Sequence, residues 1–349
     1  MAVTLADVAE AAGVSKSTAS RVLSGSGRIS PQARRAVVTA AERLGYRTNR
    51  IASGLRTRRS NLVGLIVTNL VNASFHAITS IVHQRLDELG YQVLLCITDA
   101  DPARERRYLE ALLDHRVDGL IIVGTGENAT VVKEVETAGI PVVNLIRSPE
   151  GTPGDAVMAD DHEGAVLAAR HLLGLGHRRI AFIGGPASVD SGRERYAGFA
   201  QAMAEHGVEP DPALVLRGPY EPPFGDEAVT RLMTSPAARP TALYSANHEA
   251  TFGVLGALVR FGVRVPDHLS LVCHEEAPFF AYWHPPITVV DNAPRDLGEL
   301  AAEQLLRRIE KGEAGRGGTS RSLRVGAQLV VRRSTAAWQP PAARPGDDG

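Results

Sequence analysis

The chain has 349 residues, 44% of them hydrophobic and 22% charged, with 34 glycines, 21 prolines and two cysteines. That is enough apolar material for two or three ordinary domains, and it argues against a disordered chain, a fibrous repeat and a disulfide-stapled secreted module. The formal net charge of −1 hides an uneven distribution: residues 1–60 hold eleven Lys and Arg against three Asp and Glu, a net +8, and the remainder carries −9. A basic head on an acidic body points to a polyanionic partner for the head, since clustered cations gain by displacing counterions from phosphates. Cys96 and Cys273 are too isolated for a disulfide framework and fit a reducing cytoplasm. The start Met1-Ala-Val-Thr-Leu-Ala-Asp7 lacks the basic, apolar pattern of a signal peptide. The longest apolar runs, Leu62 to Val67 and Leu120 to Val123, fall far short of the roughly 18 residues that span a bilayer, so a cytoplasmic protein with no membrane partner is expected.

In chain order, Thr4 caps a first helix with Leu5, Val8, Ala9 and Ala12 at helical spacing, and Gly13 breaks it. Ser15 caps a second helix running to about Leu23, with Ala19, Val22 and Leu23 inward. Ser30 followed by Pro31 opens a third, with Ala33, Val37, Val38, Ala41 and Leu44 as its apolar face and Gly45 as its stop. Helix, tight glycine turn, helix is the helix-turn-helix pattern, whose second helix presents its N-terminal side chains to the major groove. Lys16, Ser17 and Arg21 are the candidates for base edges, while Thr4, Ser15, Thr18 and Ser20 offer hydroxyls to phosphates. A small three-helix protein-docking module is the alternative, and the charge argues against it.

The body alternates strands and helices. Strands are expected at Asn61–Val67, Tyr91–Ile97, Gly119–Val123 and Pro141–Leu145, with helices at Phe75–Leu89, Ala103–His115 and Asn128–Ala138 between them. The beat restarts with helix Gly164–Leu173, strand Arg179–Ile183, helix Arg193–His206, strand Ala213–Arg217, helix Asp226–Thr234, strand Ala242–Ser245, helix Ala250–Phe261 and strand Leu269–Val272. Two α/β lobes with parallel, doubly wound sheets follow, and ligands of such sheets lie beyond the carboxyl ends of the strands. A cleft between the lobes is the expected site.

The run from Thr4 to Leu23, TLADVAEAAGVSKSTASRVL, resembles the N-terminal signature of the lactose-repressor (LacI/GalR) family of bacterial transcription regulators. Leu44-Gly-Tyr46 and Asn49-Arg-Ile-Ala-Ser-Gly-Leu55 resemble that family's third helix end and its hinge, although Thr48 stands where the family usually has Pro. In the body, Asp118-Gly-Leu-Ile, Leu175 to Pro186, Arg195-Tyr-Ala-Gly-Phe199, Val265 to Val272 and Pro285-Pro-Ile-Thr288 are similar to the family's periplasmic-binding-protein-like part. The resemblance covers about residues 3–335. It implies a helix-turn-helix head over 1–48, a hinge over 49–60, a two-lobed effector-binding and dimerisation body over 61–335, and a flexible tail over 336–349. It further implies a transcriptional repressor that binds a palindromic operator in double-stranded DNA as a homodimer. Leu55 would wedge into the minor groove, with Asn49 and Ser53 beside it at the DNA. A small molecule, a sugar or related metabolite, would bind between the lobes through Phe75, Arg195, Tyr220, Asn247 and Glu275. The family's Ala-Asn-Asp is here Ala246-Asn-His248, and its Gly-Tyr-Asp is Cys273-His-Glu275, so an unusual ligand is expected.

Enzyme readings find less support. Gly124-Thr-Gly126-Glu-Asn-Ala129 mimics a dinucleotide fingerprint, but Asn144 and Leu145 end the next strand where an acidic residue is needed. His248-Glu249 and His274-Glu275-Glu276 could converge on a metal, yet a polar ligand pocket is the simpler expectation. No catalytic residue, cofactor or metal is therefore assigned. A sugar-binding transport receptor without a DNA role would leave the basic head unexplained. The Pro/Gly-rich tail has no leucine heptads to build a tetramer, which leaves a dimer.

Overall fold

The protein's structure, a computed structural model, describes residues 3–23, 29–46, 59–149, 151–235, 239–312 and 320–339. The chain divides into two compact units, 1–60 and 61–349. The hinge positions Asn49, Ser53 and Leu55 lie outside the described residues.

The first unit holds α1 (Leu5–Ala11), α2 (Lys16–Leu23) and α3 (Pro31–Leu44). Local chemistry sets each boundary. Thr4 and Asp7 form a reciprocal capping box at α1, Ser15 Oγ accepts from the Thr18 N–H at 3.1 Å to cap α2, and Ser30 Oγ accepts from the Ala33 N–H to cap α3. Gly45 ends α3 with φ 64°, a left-handed conformation that glycine adopts without steric cost. Val8, Ala9, Ala19, Val22, Val37, Ala40 and Ala41 form the core. Val38 departs from expectation: it is 41% exposed. At about 100° per residue Val37 and Val38 cannot both face inward, and Ala40 takes the second place.

The second unit is two lobes. The first contains β1 (Leu62–Val67), α4 (Ala73–Glu88), β2 (Gln92–Ile97), α5 (Pro102–Asp114), β3 (Gly119–Ile122), α6 (Ala129–Thr137), β4 (Val142–Leu145) and β5 (Asp155–Ala159). The second contains α7 (Asp161–Gly174), β6 (Ile180–Gly184), α8 (Asp190–Glu205), β7 (Val215–Arg217), α9 (Pro222–Thr234), β8 (Ala242–Ser245), α10 (His248–Arg260), β9 (Ser270–His274) and β10 (Thr288–Asp291). The chain then returns to the first lobe with α11 (Pro294–Lys311) and β11 (Ser322–Val325), and ends on the second with β12 (Gln328–Val330). The sheet orders are β11-β5-β4-β3-β1-β2 and β12-β10-β9-β8-β6-β7. Every pairing is parallel except that of β12 with β10, so the second sheet is parallel with one antiparallel edge strand. Apolar clusters line both faces of each sheet, which is why the central strands read as unbroken apolar runs.

Three short crossovers join the lobes, between β5 and α7, β10 and α11, and β11 and β12. Arg308 fixes the returning helix to the first lobe by pairing with Glu136 and donating to the Val142 carbonyl, and Arg307 binds Asp155 at 2.6 Å. The expectation of a loose tail from Ala336 needs correcting. The Ala336 N–H donates to Ser270 Oγ and the Trp338 N–H to the Leu175 carbonyl, so the chain is pinned along the second lobe before its final residues. Buried hydroxyl and carbonyl acceptors, rather than composition, hold it there.

Candidate DNA interface and ligand cleft

In the first unit, Lys16, Ser17 and Arg21 are exposed on α2 and point away from its buried Ala19 and Val22. Ser15 Oγ also lies 2.9 Å from Ser17 Oγ and 2.8 Å from Thr18 Oγ1, so three hydroxyls cluster where the helix begins. That cluster suits a phosphate, and the exposed cations suit base edges beside it. Thr4 is engaged differently. Its hydroxyl bonds Asp7 Oδ2 at 2.8 Å in the capping box, so it acts first on α1. Ser20 is half-buried on the same helix as Arg21.

In the body, the carboxyl ends of β6, β8 and β9 bring Arg195, Asn247 and Glu275 together. Arg195, 3% exposed on α8, donates Nε–H to Asp161 Oδ1 at 2.8 Å, Nη1–H to the Ala246 carbonyl at 2.6 Å and Nη2–H to Glu275 Oε1 at 2.7 Å. Glu275 Oε2 accepts from Asn247 Nδ2 at 3.0 Å and lies 2.6 Å from His248 Nδ1. Asn247 is also the cap of α10, its Oδ1 accepting from the Glu249 and Ala250 N–H groups. Burial by itself raises the Glu275 carboxyl, but the Arg195 charge and the His248 bond outweigh it and hold the group well below the ordinary carboxylate range. Asp161 is depressed for the same reasons, with burial overcome by Arg195 and His274.

Behind this ion cluster, buried His274 lies 2.6 Å from Tyr244 Oη through Nδ1 and 3.1 Å from Asn292 Oδ1 through Nε2. Burial, followed by the Arg195 charge, pushes its imidazole down, so it is neutral near pH 7. Burial also raises the Tyr244 phenol. The Tyr244 O–H therefore donates to Nδ1, and Nε2–H faces Asn292 and Asp161. Asp161 follows the first crossover and Asn292 lies within the second. The network thus touches two of the three connections on which the lobes must move.

Tyr220 stands beside this cluster. Its ring lies with the Arg195 Cζ 5.8 Å from the centroid, and it covers the Gly185 backbone so closely that a Cβ there would meet Tyr220 Cζ at 2.2 Å. Glycine at 185 is required for that contact. Phe75 is different: it is buried in the first lobe's core with Ile78 and Val82. Asp161 belongs to the cluster and Arg147 lies just past the end of β4; both escaped the sequence reading. Asp161 was legible only as a polar residue before an apolar helix, and Arg147 as a cation two residues past a strand end. His248 and His274 each hold a carboxylate, and among the described residues no three His, Cys, Asp or Glu side chains are placed to grip a metal ion.

Residues 4–49 match the family pattern of bacterial regulatory proteins of the lacI family, and residues 169–335 match a periplasmic binding protein-like domain. The chain is 32% identical over 339 residues to the HTH-type transcriptional regulator DegA of Bacillus subtilis (strain 168), covering 96% of this chain and 99% of DegA. The chain belongs to the lacI family. Among solved structures, the Lac repressor dimer bound to operator and the anti-inducer ONPF superposes with a TM-score of 0.84 at 28% identity, covering 97% of this chain and all of that one. The CelR–cellobiose complex superposes with a TM-score of 0.71 at 30% identity over 95% of this chain and 99% of that one. This lacI-family chain is a DNA-binding transcriptional regulator with a ligand-binding body, and its relatives are regulators rather than enzymes.

Proposed function

We propose that this regulator is a repressor that binds a palindromic operator as a homodimer in the cytoplasm, on the nucleoid, and is switched by a small molecule held between the lobes. The observation that carries the DNA half is the exposed Lys16, Ser17 and Arg21 on a helix whose start is capped by Ser15, in a segment of net charge +8. Leu55, with Asn49 and Ser53, is assigned to the minor groove on the family resemblance. The similarity to an operator-bound repressor dimer and to a cellobiose complex supports the repressor, dimer and sugar-class readings. Self-association is also supported by an apolar patch on the second lobe, where the exposed Phe252 and Phe279 lie with tilted rings 5.9 Å apart and Tyr282 is 88% exposed. Coupling of about 1–3 kcal/mol between ligand and DNA gives a roughly 5- to 150-fold switch. The cluster of Arg195, Asp161 and Asn292, which joins the ligand side to the crossovers, supports its route.

Selection of genomic fragments by the purified full chain at near-physiological salt tests the reading, and enrichment of a short palindrome is the expected result. Arg21→Ala should then lower affinity for that palindrome by roughly 10- to 150-fold and relax one base position, as loss of a bidentate guanine contact does. Equal enrichment of all sequences by both proteins removes the assignment of α2 as the reading helix.

A further inference from the structure

The cations of the cleft are not equivalent. Each of the three guanidinium nitrogens of Arg195 donates to a protein acceptor. Arg147 lies just past the end of β4 on the first lobe, and its side chain makes no hydrogen bond or ion pair among the described residues although it is more than half buried. The backbone that places it is strained. Ile146 has φ 65°, unusual for a β-branched residue, and is locked by its N–H donating to the Val157 carbonyl at 2.8 Å. Burial depresses the Arg147 guanidinium, opposed by the charges that reach it from Tyr220, Asp190, Glu105 and Glu275. Arg147 follows the carboxyl end of β4, and Ser191 and Tyr220 follow the carboxyl ends of β6 and β7, the strand ends beyond which ligands of such sheets lie, so the topology puts all three on the cleft side of their lobes.

Each of those carboxylates already has another partner in the protein. Asp190 pairs with Arg193; Glu105 accepts from the Thr125 N–H and hydroxyl and from Asn128; Glu275 is held by Arg195, Asn247 and His248. Two hydroxyls of the second lobe have capacity to spare. Ser191 Oγ and Tyr220 Oη are 3.3 Å apart, loose for a bond between hydroxyls, where about 2.7–2.8 Å is usual.

We propose that the effector carries an oxyanion, a carboxylate or a phosphoryl group, which Arg147 of the first lobe and the hydroxyls of Ser191 and Tyr220 of the second take between them. This deepens the ligand-switch reading and rests on it. A buried guanidinium without a partner is costly, and a planar oxyanion supplies the bidentate acceptor that its fork fits. Because the anion touches both lobes, it favours their closed arrangement over an open one, which is the differential contact a switch requires.

The test compares the full chain with Arg147→Met and Arg147→Lys. D-Galacturonate and D-glucose 6-phosphate are the charged probes, and D-galactose and D-glucose are their neutral counterparts. Binding is read from thermal unfolding of the body and by calorimetry. Without ligand, Arg147→Met should melt above the wild type, because an unpaired buried charge has been removed; a merely structural arginine would give the opposite sign. Of the charged probes at least one should protect the wild type, and which one separates carboxylate from phosphate. Arg147→Met should bind it roughly 10- to 150-fold more weakly, and Arg147→Lys should fall between. A ligand-free Arg147→Met that is no more stable than wild type, or neutral sugars that protect both proteins alike, overturns the anion site. If a charged probe binds through Arg147 but leaves palindrome affinity unchanged, the anion site stands and the ligand-switch reading falls. If a neutral sugar switches DNA binding equally in wild type and Arg147→Met, the converse holds.

Discussion

The two lobes share a strand order yet place charge in the cleft in opposite ways. In the second lobe Arg195, Asp161, Glu275, His248 and His274 satisfy one another in a network reaching two crossovers. The first lobe offers a guanidinium, Arg147, that has no side-chain acceptor among the described residues. A saturated network is rigid and preorganised, whereas an unsatisfied charge waits for a partner from outside. One lobe is built as the anchor and the other as the receptor for added charge.

That contrast predicts stability changes of opposite sign. Arg195→Ala leaves Asp161 and Glu275 buried without their counter-ion, and should lower body stability by about 3–5 kcal/mol in urea unfolding. Arg147→Met should raise it. Two changes of the same sign would erase the distinction between the lobes. A smaller effect is expected from Gly185→Ala, whose methyl collides with the Tyr220 ring; displacement should cost about 1–3 kcal/mol and weaken ligand binding while leaving palindrome affinity intact. Unaltered ligand affinity in that variant would show that the ring position is not part of the site.

The smallest effect is one of slope. His274 ordinarily titrates near 6.5 and is depressed in the fold. Its contribution to stability is therefore complete above about pH 6.5 and is lost as pH falls toward the folded value, because the unfolded chain takes the proton first. One such group changes the slope by at most about 1.4 kcal/mol per pH unit. Unfolding free energies between pH 7 and 5 should be flatter in His274→Gln than in wild type; parallel curves would show that the imidazole is not buried neutral.

The sequence reading located the body helices but began several of them late. It placed α7 from Gly164, α8 from Arg193 and α10 from Ala250, whereas they start at Asp161, Asp190 and His248. Apolar periodicity reports where a helix packs against its sheet, and the first turns at the cleft are polar because ligand chemistry, not packing, selects them. Asp161, a site residue, fell in that blind turn, and His248 was legible through its motif but not as the first residue of its helix. The elements that cross between lobes, β5, β10, α11, β11 and β12, were equally hidden, because a linear pattern has no marker for which sheet a strand joins.

By itself the sequence determined the charge division, the capped three-helix head, the two α/β lobes and the family, because caps, periodicity and motifs are local and survive without coordinates. Tertiary structure decided which cation in the cleft is open. Arg195 and Arg147 are both arginines beyond strand ends, and only the convergence of residues 34 to 80 positions apart in the chain satisfies the first, while the second has no side-chain partner among the described residues. Hydrogen-bond saturation is a property of neighbours in space, and no linear motif encodes it.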